Sequence, residues 1–383
     1  MSSSFEASHP RGRCPMLSGG QRTITVPVLK SWDFDDWRTR YGDGWQLPYR
    51  MDHLERHGLS LRTTDALHGP PFTWPSVGRG TRWAEGLVAP FVQAMLLSHA
   101  IATAPVTLAL FESEANSLAF ARSVWPWQPR SALAVISCWL AEILPSMRSA
   151  RRALYRRAYQ SVDRLFYFSA NQTDILTEHL GLPPDRLVPL AFGVDHEFFA
   201  PVGVEDQGYV LVVGRDAARD WKTLFAALTG SRLRVKVCCR PRDLVGLRVP
   251  DGVEILGYVD RYTYRDLLAR ARVVVVATRP VAYPSGQSVL LEAMAMARPV
   301  VVTATPALAS YVVDGVNALG VCPADPVALR AGIVQVHEDR ELGVRLGAGG
   351  RQDVEARFNA GAMWATVATH LRTLAERQRC PRP

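Results

Sequence analysis

Lysine is almost missing from this 383-residue chain, which contains only Lys30, Lys222 and Lys236. The formal net charge of +8 therefore rests on arginine, a skew that is typical of a GC-rich genome rather than of a basic surface for nucleic acid. The sequence also lacks zinc-finger spacing and the aromatic-basic strand pattern of RNA-recognition modules. We therefore expect no nucleic-acid partner.

Paired cysteines are also missing, because the six cysteines show no CxxC motif and no regular spacing. Residues 1–22 are polar, lack the apolar stretch of a signal peptide, and predict a flexible N-terminal tail. We expect reduced thiols and a cytoplasmic location. Inside the tail, LSGGQ at 17–21 spells the ABC-transporter signature, but no P-loop GxxxxGK[ST] accompanies it, so we interpret the match as coincidence.

Long hydrophobic runs are limited to Gly86–Phe111, a stretch without Asp, Glu, Lys or Arg. Two prolines and two polar residues interrupt it, which favours a buried helix followed by a strand over a membrane span. A second membrane hypothesis rests on Arg148, Arg152 and Arg156, which share one helix face. A solvated helix face explains this stripe more simply, so peripheral membrane contact remains the minor alternative.

Metal-binding and nucleophile motifs are scarce as well. Asp33–Asp35 has the DxD metal-binding pattern, but it follows the first predicted strand and reads as a solvated acidic loop. His53 and His57 stand four residues apart, but Glu55 is not in the HExxH position and no third ligand is evident. GxSxG is missing too. We expect no metal site.

The second half of the sequence alternates apolar β-branched runs with helical patterns, which indicates a parallel sheet covered on both faces. The predicted strands cover 209–215, 233–239, 253–259, 273–278 and 299–303, and the predicted helices cover 220–228, 261–271 and 286–297. This order predicts a doubly wound, Rossmann-like domain.

The first half repeats the pattern less regularly. Strands are predicted at 23–32, 59–65, 106–111, 131–139 and 163–169, with a helix at 48–58. A proline-rich break between 183 and 208 marks the linker. We predict an α/β protein with domains at 23–198 and 199–358, a cleft between them, and a terminal helix at 359–383 that packs back on the first domain.

An anion site is predicted where the third helix of the second domain begins. Ser285 is suited to cap this helix, and Gly286 lets a ligand approach the backbone. The amides of Gly286, Gln287 and Ser288 would then face a phosphate. Glu292 lies one turn beyond Ser288, where its carboxylate could accept two hydrogen bonds from a ribose diol. The alternative is a glutamate exposed on the outer helix face.

Cations follow the first strand of the same domain. The strand ends in Gly214 and Arg215, and Arg219 and Lys222 come within the next two turns. Ligands bind at the carboxyl ends of parallel strands, so these cations are placed to neutralise a diphosphate. Solvated loop charges are the alternative, above all for Lys222.

Five phrases together resemble retaining GT-B glycosyltransferases of the family-four type, the glycosyl transferases group 1. They are VDRLFYFSANQTDIL, FGVDHEFFAP, LVVGRDAARDWKTL, LEAMAMARPVVVT and SYVVDGVNALGV, which begin at residues 162, 192, 211, 291 and 310. Each phrase is weak alone, but the set is specific. The resemblance covers residues 163 to 325 and implies a GT-B fold, two Rossmann-like domains facing each other across a cleft.

The resemblance also implies roles for single residues. Arg215 matches the arginine that holds the donor diphosphate, Arg219 or Lys222 matches the accompanying lysine, and Glu292 matches the ribose-binding glutamate. These three cations are the predicted catalytic residues. The predicted donor-binding residues are Glu292, Ser285, Gly286, Gln287, Ser288, Gly214 and Tyr258. The second domain would bind a nucleoside diphosphate sugar as co-substrate, with no cofactor and no metal.

The expected reaction is transfer of the sugar to a hydroxyl acceptor, a glycan or specialised metabolite, with retention of configuration. The first domain would bind the acceptor, with 41–45, Trp125, Trp127 and Trp139 as candidate walls. One departure from the family stands out, since Pro284 replaces the glutamate that commonly contacts the donor sugar.

Two alternatives remain. An inverting enzyme or epimerase on the same scaffold would need a general base from the first domain, and the candidates are His53, His57, His68 and His99. A non-catalytic auxiliary protein with this fold would bind a partner chain and would hydrolyse no nucleotide sugar.

Overall fold

The computed structural model describes residues 23–29, 47–63, 98–124 and 131–379. These residues form two parallel six-stranded sheets, each flanked by helices. The predicted pair of doubly wound α/β domains is confirmed. The predictions for the tail, Asp33–Asp35, 41–45, His68, Trp125 and Trp127, and for the side chain of His99, lie outside the described part of the chain.

The first sheet has the strand order β2-β1-β3-β4-β5-β6, and all of its strand pairs are parallel. Its strands are β1 (Ile24–Leu29), β2 (Leu59–Thr63), β3 (Val106–Leu110), β4 (Ala132–Ser137), β5 (Arg164–Tyr167) and β6 (Leu187–Pro189). Its helices are α1 (Ser98–Thr103), α2 (Glu112–Val124), α3 (Leu140–Ser146), α4 (Ser149–Tyr159) and α5 (Gln172–Leu180). The central strands β3 and β4 are buried along their whole length, as runs of Val, Leu, Ile and Ala require.

The second sheet has the order β12-β11-β10-β7-β8-β9, which is the Rossmann order 3-2-1-4-5-6 read from the other edge. Its strands are β7 (Tyr209–Val213), β8 (Val235–Cys238), β9 (Val253–Ile255), β10 (Ala271–Val276), β11 (Val300–Thr303) and β12 (Leu319–Val321). Its helices are α6 (Trp221–Leu228), α7 (Arg261–Arg270), α8 (Gln287–Ala295), α9 (Pro326–Glu338) and α10 (Arg340–Ala356). The strand order reverses between β7 and β10, the position at which such sheets bind ligands.

The terminal helix α11 (Ala360–Arg379) leaves the second domain and packs on the first. The Trp364 indole nitrogen donates to the carbonyl oxygen of Tyr49 at 2.6 Å, and an Arg372 guanidinium nitrogen donates to that of His57 at 2.6 Å. The buried apolar face of α11 includes Trp364, Val367 and Leu371. The chain therefore crosses between the domains twice, which fixes the two walls of the cleft.

Three local features were not predicted. The helix predicted at 48–58 is present as a 3-10 helix, Pro48–His57, and Tyr49 and Arg50 near its start take left-handed backbone angles, with φ of 56° and 58°. The short edge strands β6 and β12 were not predicted. Each has only three residues and too little apolar pattern to mark a strand.

No helix within the described ranges is long and apolar enough to span a membrane.

Candidate functional site

A cleft of about 620 Å³ lies between the two domains. The first domain contributes Tyr49, Arg50, Cys138 and Trp139, and the second contributes the ends of β7 and β8 together with the loop that leads into α8. The carboxyl ends of both sheets face this space. Predicted site residues that lie in the second domain can therefore face a molecule held by the first.

Arg219 lies at the switch point of the second sheet, where it forms an isolated bridge with Thr278 after β10. Its side chain is buried, and it fills the space between Gly214 and Gly286: a Cβ atom at Gly286 would come within 2.6 Å of its Nη1. Burial lowers the pKa of this guanidinium. Its Nε and Nη1 have no hydrogen-bond partner among the described residues. Arg219 is therefore a buried cation that lines the cleft with unused donors.

The helix α8 begins at the cleft, but Ser285 does not cap it, contrary to the prediction. Gly286 is the N-cap residue, with φ of 87°, and the Ser285 hydroxyl donates instead to Asp216 at 2.8 Å. The Gln287 amide is also used, since it donates to the Pro284 carbonyl at 3.1 Å. In the described part of the chain, nothing accepts a hydrogen bond from the amides of Gly286 and Ser288. These two amides, rather than three, are available to an anion.

Glu292 is half-buried at the inner end of the cleft and does not lie on an outer helix face. The Tyr264 hydroxyl donates to its Oε2 at 2.8 Å, which leaves Oε1 for another partner. Burial raises the pKa of the Glu292 carboxyl to about 7, although the Tyr264 hydrogen bond and the charge of Arg261 both lower it. A ligand that donates hydrogen bonds to this carboxylate would complete its coordination.

The remaining predicted residues divide into two groups. Arg215 and Tyr258 line the cleft on its solvent side, and the guanidinium carbon of Arg215 lies 5.2 Å from the centroid of the Tyr258 ring. Lys222 lies on α6 with an exposed side chain, outside the cleft. Of Arg219 and Lys222, Arg219 lines the cleft and Lys222 does not.

Asp216 was missed by the sequence analysis, although it directly follows Arg215. Its carboxylate lines the cleft and accepts hydrogen bonds from the Tyr283 hydroxyl at 2.8 and 3.0 Å, from the Ser285 hydroxyl at 2.8 Å and from the Ala218 amide at 2.8 Å. The sequence signal that could have identified Asp216 is its position, directly after Arg215 and three residues before Arg219, which were both predicted to bind an anion.

Aromatic side chains form the wall on the side of the first domain. Trp139 is 43% exposed, and its ring packs against Phe111 with centroids 5.5 Å apart and against Tyr283 of the second domain at 6.4 Å. Tyr49 continues the wall toward Phe111 and Phe192. Of the predicted acceptor walls, Trp139 lies in the described cleft.

Of the predicted alternative bases, His53 and His57 are described, and neither lines the cleft. No histidine of the described ranges lines the cleft. His53 is buried on the 3-10 helix with its ring beside Gly361 of α11, where burial lowers its pKa. The backbone carbonyl of His57 contacts Arg372 of the same helix. Their place in the fold is between the first domain and the terminal helix.

Two contacts join the loop before α8 to the first domain. Glu142 on α3 accepts a hydrogen bond from the Ala282 amide at 2.7 Å, and the Asn171 side-chain amide donates to the Ala282 carbonyl at 3.0 Å. Ala282 lies two residues before Pro284. The loop that leads into α8 is therefore hydrogen-bonded to the first domain, which forms the opposite wall of the cleft.

A second connection is ionic. The carboxylate of Asp195, in the segment between the domains, lies 2.9 Å from Arg50 and 3.1 Å from Arg261. Arg261 belongs to α7 and acts on Glu292 through its charge. The first domain and the Glu292 side of the cleft therefore share one charged network.

Comparison with known proteins supports the architecture. Residues 211–339 match the family model of the glycosyl transferases group 1. No curated protein matches the chain by sequence. The structure is similar to sucrose-phosphate synthase from Thermosynechococcus elongatus, with a TM-score of 0.67 and 18% identity over 92% of this chain and 99% of that one.

Two further structures have the same architecture. Anabaena HepE in complex with UDP and glucose gives a TM-score of 0.64 at 17% identity, covering 92% of this chain and 100% of that chain. WaaG, a glycosyltransferase involved in lipopolysaccharide biosynthesis, gives a TM-score of 0.59 at 16% identity, covering 91% of this chain and 99% of that chain. The chain thus has the GT-B fold, and its residues 211–339 are similar to the glycosyl transferases group 1 family.

Proposed function

We propose that the protein is a glycosyltransferase that moves a sugar from a nucleoside diphosphate sugar to a hydroxyl acceptor, with retention of configuration. The family match of the second domain and the GT-B fold support the reaction class. One observation carries the choice of donor. The buried Arg219 guanidinium has free Nε and Nη1 donors beside the unpaired amides of Gly286 and Ser288. A diphosphate bound at the start of α8 would accept hydrogen bonds from these amides and lie beside the Arg219 charge.

The rest of the donor follows from the direction of α8. Glu292 lies one helical turn beyond Ser288, and its Oε1 is available for a ribose diol. The diphosphate would then lie at the start of α8 and the ribose one turn inside the cleft. The sugar bonded to the diphosphate would extend toward Trp139 and the first domain, where we place the acceptor.

The chemistry proposed here needs no base from the first domain. As the bond between sugar and diphosphate breaks, negative charge grows on the leaving phosphate, and Arg219 and Arg215 are placed to stabilise it. The acceptor hydroxyl would attack the same face of the sugar through an oxocarbenium-like transition state and pass its proton to the departing phosphate. Donor binding and leaving-group stabilisation would therefore use the same cations.

Calorimetry with UDP, GDP, ADP and dTDP on the wild type and on Glu292→Gln tests this proposal. UDP is the first candidate, since the similar HepE structure is a complex with UDP. One nucleotide should bind, and Glu292→Gln should weaken it about tenfold, because a charged acceptor of two hydrogen bonds becomes neutral. If the wild type binds none of the four, the proposed function is wrong.

The stereochemical outcome is tested separately. With an α-linked donor and water or a simple alcohol as acceptor, proton NMR of the first turnovers should show the α product. A β product would contradict retention and would favour the inverting alternative.

A further inference from the structure

We propose that Asp216 is the residue that selects the donor sugar, by accepting a hydrogen bond from one of its hydroxyl groups. The proposal rests on the proposed function, since it concerns the sugar end of the same donor. It assigns the substrate class as a sugar that keeps a free hydroxyl at the position facing Asp216. Deoxygenated or capped sugars at that position would be rejected.

The first argument is that the Asp216 carboxylate is fixed in place. Its Oδ1 accepts hydrogen bonds from the Tyr283 hydroxyl, the Ser285 hydroxyl and the Ala218 amide, each at 2.8 Å. Three donors from two separate loops hold this group at one orientation. A specificity residue must be pre-oriented in this way, because an adaptable side chain cannot discriminate between similar substrates.

The second argument is that the other oxygen keeps unused capacity. Within the described part of the chain, Asp216 Oδ2 receives one hydrogen bond, the 3.0 Å contact from Tyr283, which is shared with Oδ1. An ionised carboxylate has about four acceptor sites in total. Asp216 therefore has room for a hydroxyl donor on the oxygen that its loop contacts leave nearly free.

The third argument is position. Asp216 lies close enough to Arg219 and to Cys138 to act on both through its charge, so it stands between the predicted diphosphate site and the first domain. The Tyr283 ring that it holds also packs against Trp139. A sugar that is bonded to the diphosphate and faces the acceptor must occupy this part of the cleft.

The fourth argument concerns position 284, where the loop before α8 has a proline. Pro284 has no polar side chain, so position 284 cannot accept a hydrogen bond from the sugar through one. Asp216 follows β7, and its carboxylate accepts hydrogen bonds from Tyr283 and Ser285, the residues on either side of Pro284. The site therefore keeps an acidic group beside the loop, on a different element.

The test compares three proteins: wild type, Asp216→Asn, and the double variant Tyr283→Phe with Ser285→Ala. The asparagine keeps an oxygen for the loop contacts but loses the charge. The double variant keeps the carboxylate and removes its side-chain loop partners. For each protein, calorimetry measures the affinity for UDP, for UDP-glucose and for the 2-, 3-, 4- and 6-deoxy analogues of UDP-glucose. If another base or hexose binds the wild type better, the same series is made from that donor.

The wild type should bind one deoxy analogue about 10- to 100-fold more weakly than the parent sugar nucleotide, as expected for loss of a hydrogen bond to a charged group. Asp216→Asn should reduce this preference to about threefold or less and leave the UDP affinity within about threefold. The double variant keeps the carboxylate but loses two of the three donors that orient it, so its preference for the hydroxyl should fall below that of the wild type and stay above that of Asp216→Asn.

Two results would overturn the inference while leaving the proposed function intact. In one, Asp216→Asn lowers the affinities for UDP and for UDP-glucose equally and keeps the preference, which makes Asp216 a structural support of the loop. In the other, the wild type shows no preference among the analogues. Failure of the wild type to bind any of the nucleotides refutes the proposed function itself, and this inference with it.

Discussion

Glu292 shows at the residue scale how a carboxylate can lie inside an otherwise apolar helix. Its neighbours Leu290, Leu291 and Ala293 are fully buried, whereas Glu292 is half-buried and lines the cleft. The Tyr264 hydroxyl provides one hydrogen bond, and burial still raises the pKa of the carboxyl to about 7. A raised pKa in a cleft is typical of a functional group rather than of a stabilising one.

The affinity for a sugar nucleotide should depend on the ionisation of Glu292. Between pH 8 and pH 6 the carboxyl becomes protonated, loses its negative charge, and accepts hydrogen bonds from the ribose less strongly. We expect the affinity for UDP-glucose to fall about tenfold over this range in the wild type and much less in Glu292→Gln. Calorimetry should use the sugar nucleotide, because the terminal phosphate of free UDP titrates in the same range.

A pH profile that is identical in wild type and Glu292→Gln would show that another group titrates. Tyr264→Phe provides a second check. Removing a hydrogen bond that lowers the Glu292 pKa should move the midpoint of the wild-type profile to higher pH.

Glu292 should also reduce stability in the absence of ligand. Its folded-state pKa of about 7 lies above its ordinary value of 4.5, so the folded protein holds the proton more tightly than the unfolded chain. Stability therefore falls as pH rises from 4.5 to 7 and stays lower above pH 7. Glu292→Gln should raise the unfolding free energy at pH 8 by up to about 3 kcal/mol and change it little at pH 4.

Chemical denaturation of both proteins at pH 4 and pH 8 measures this difference. A variant that is less stable than the wild type at pH 8 would contradict the assignment of a raised pKa.

At the scale of elements, the start of α8 depends on Gly286. Its φ of 87° favours glycine, and a Cβ atom there would come within 2.5 Å of Val276 Cγ1 and 2.6 Å of Arg219 Nη1. Gly286→Ala should therefore destabilise the protein by several kcal/mol and weaken nucleotide binding at least tenfold, because the new methyl group displaces Arg219.

Gly246→Ala is the matched control. Gly246 has a similar φ of 81°, and no described atom lies within 4 Å of the position its Cβ would occupy. This change should cost only about 1–2 kcal/mol of backbone strain and leave nucleotide affinity unchanged. Equal effects of both variants, measured by denaturation and calorimetry, would show that the left-handed angle alone matters.

The elements were predictable where their patterns are strong. The valine run of β10 and the alternation around it predicted the Rossmann order, because a strand buried on both faces must be apolar throughout. The site was less predictable. The fold of the loop after β7 determines which of its charged residues face the cleft. The order of these residues in the sequence does not reveal that fold; they are Arg215, Asp216, Arg219 and Lys222.

The left-handed backbone angles of Tyr49 and Arg50 could not be predicted from the local sequence either. The residues of Pro48–His57 favour a helix. The contact between Trp364 and the Tyr49 carbonyl joins residues more than 300 positions apart. Tertiary contacts of this range have no local signature.

At the scale of the whole molecule, the contacts of Glu142 and Asn171 with Ala282 join the two walls of the cleft, together with the Asp195 ion pairs and the packing of α11. The two atoms involved are a backbone amide and a carbonyl of the loop before α8. Domain closure that positions such a loop also excludes water from the donor. The same contacts therefore join the first domain to the loop that begins the proposed nucleotide site.

Removing both contacts with Glu142→Ala and Asn171→Ala should open the cleft. We expect a larger radius of gyration in small-angle X-ray scattering, with nucleotide affinity within about threefold, because the proposed nucleotide contacts lie in the second domain. Asp266→Ala, which removes an exposed ion pair with Arg270 inside α7, should leave the radius unchanged. An unchanged radius in the double variant would show that other contacts hold the domains together.

Calorimetric binding of UDP to wild type, Arg219→Gln and Lys222→Ala tests most directly whether this cleft binds a diphosphate. These two cations are three residues apart, but Arg219 is buried at the cleft with unused donors and Lys222 is exposed outside it. We predict that Arg219→Gln lowers the affinity about 100-fold without lowering the melting temperature of the ligand-free protein, and that Lys222→Ala changes neither. Wild-type affinity in Arg219→Gln, or a greater loss in Lys222→Ala, would contradict the assignment of this cleft as the diphosphate site.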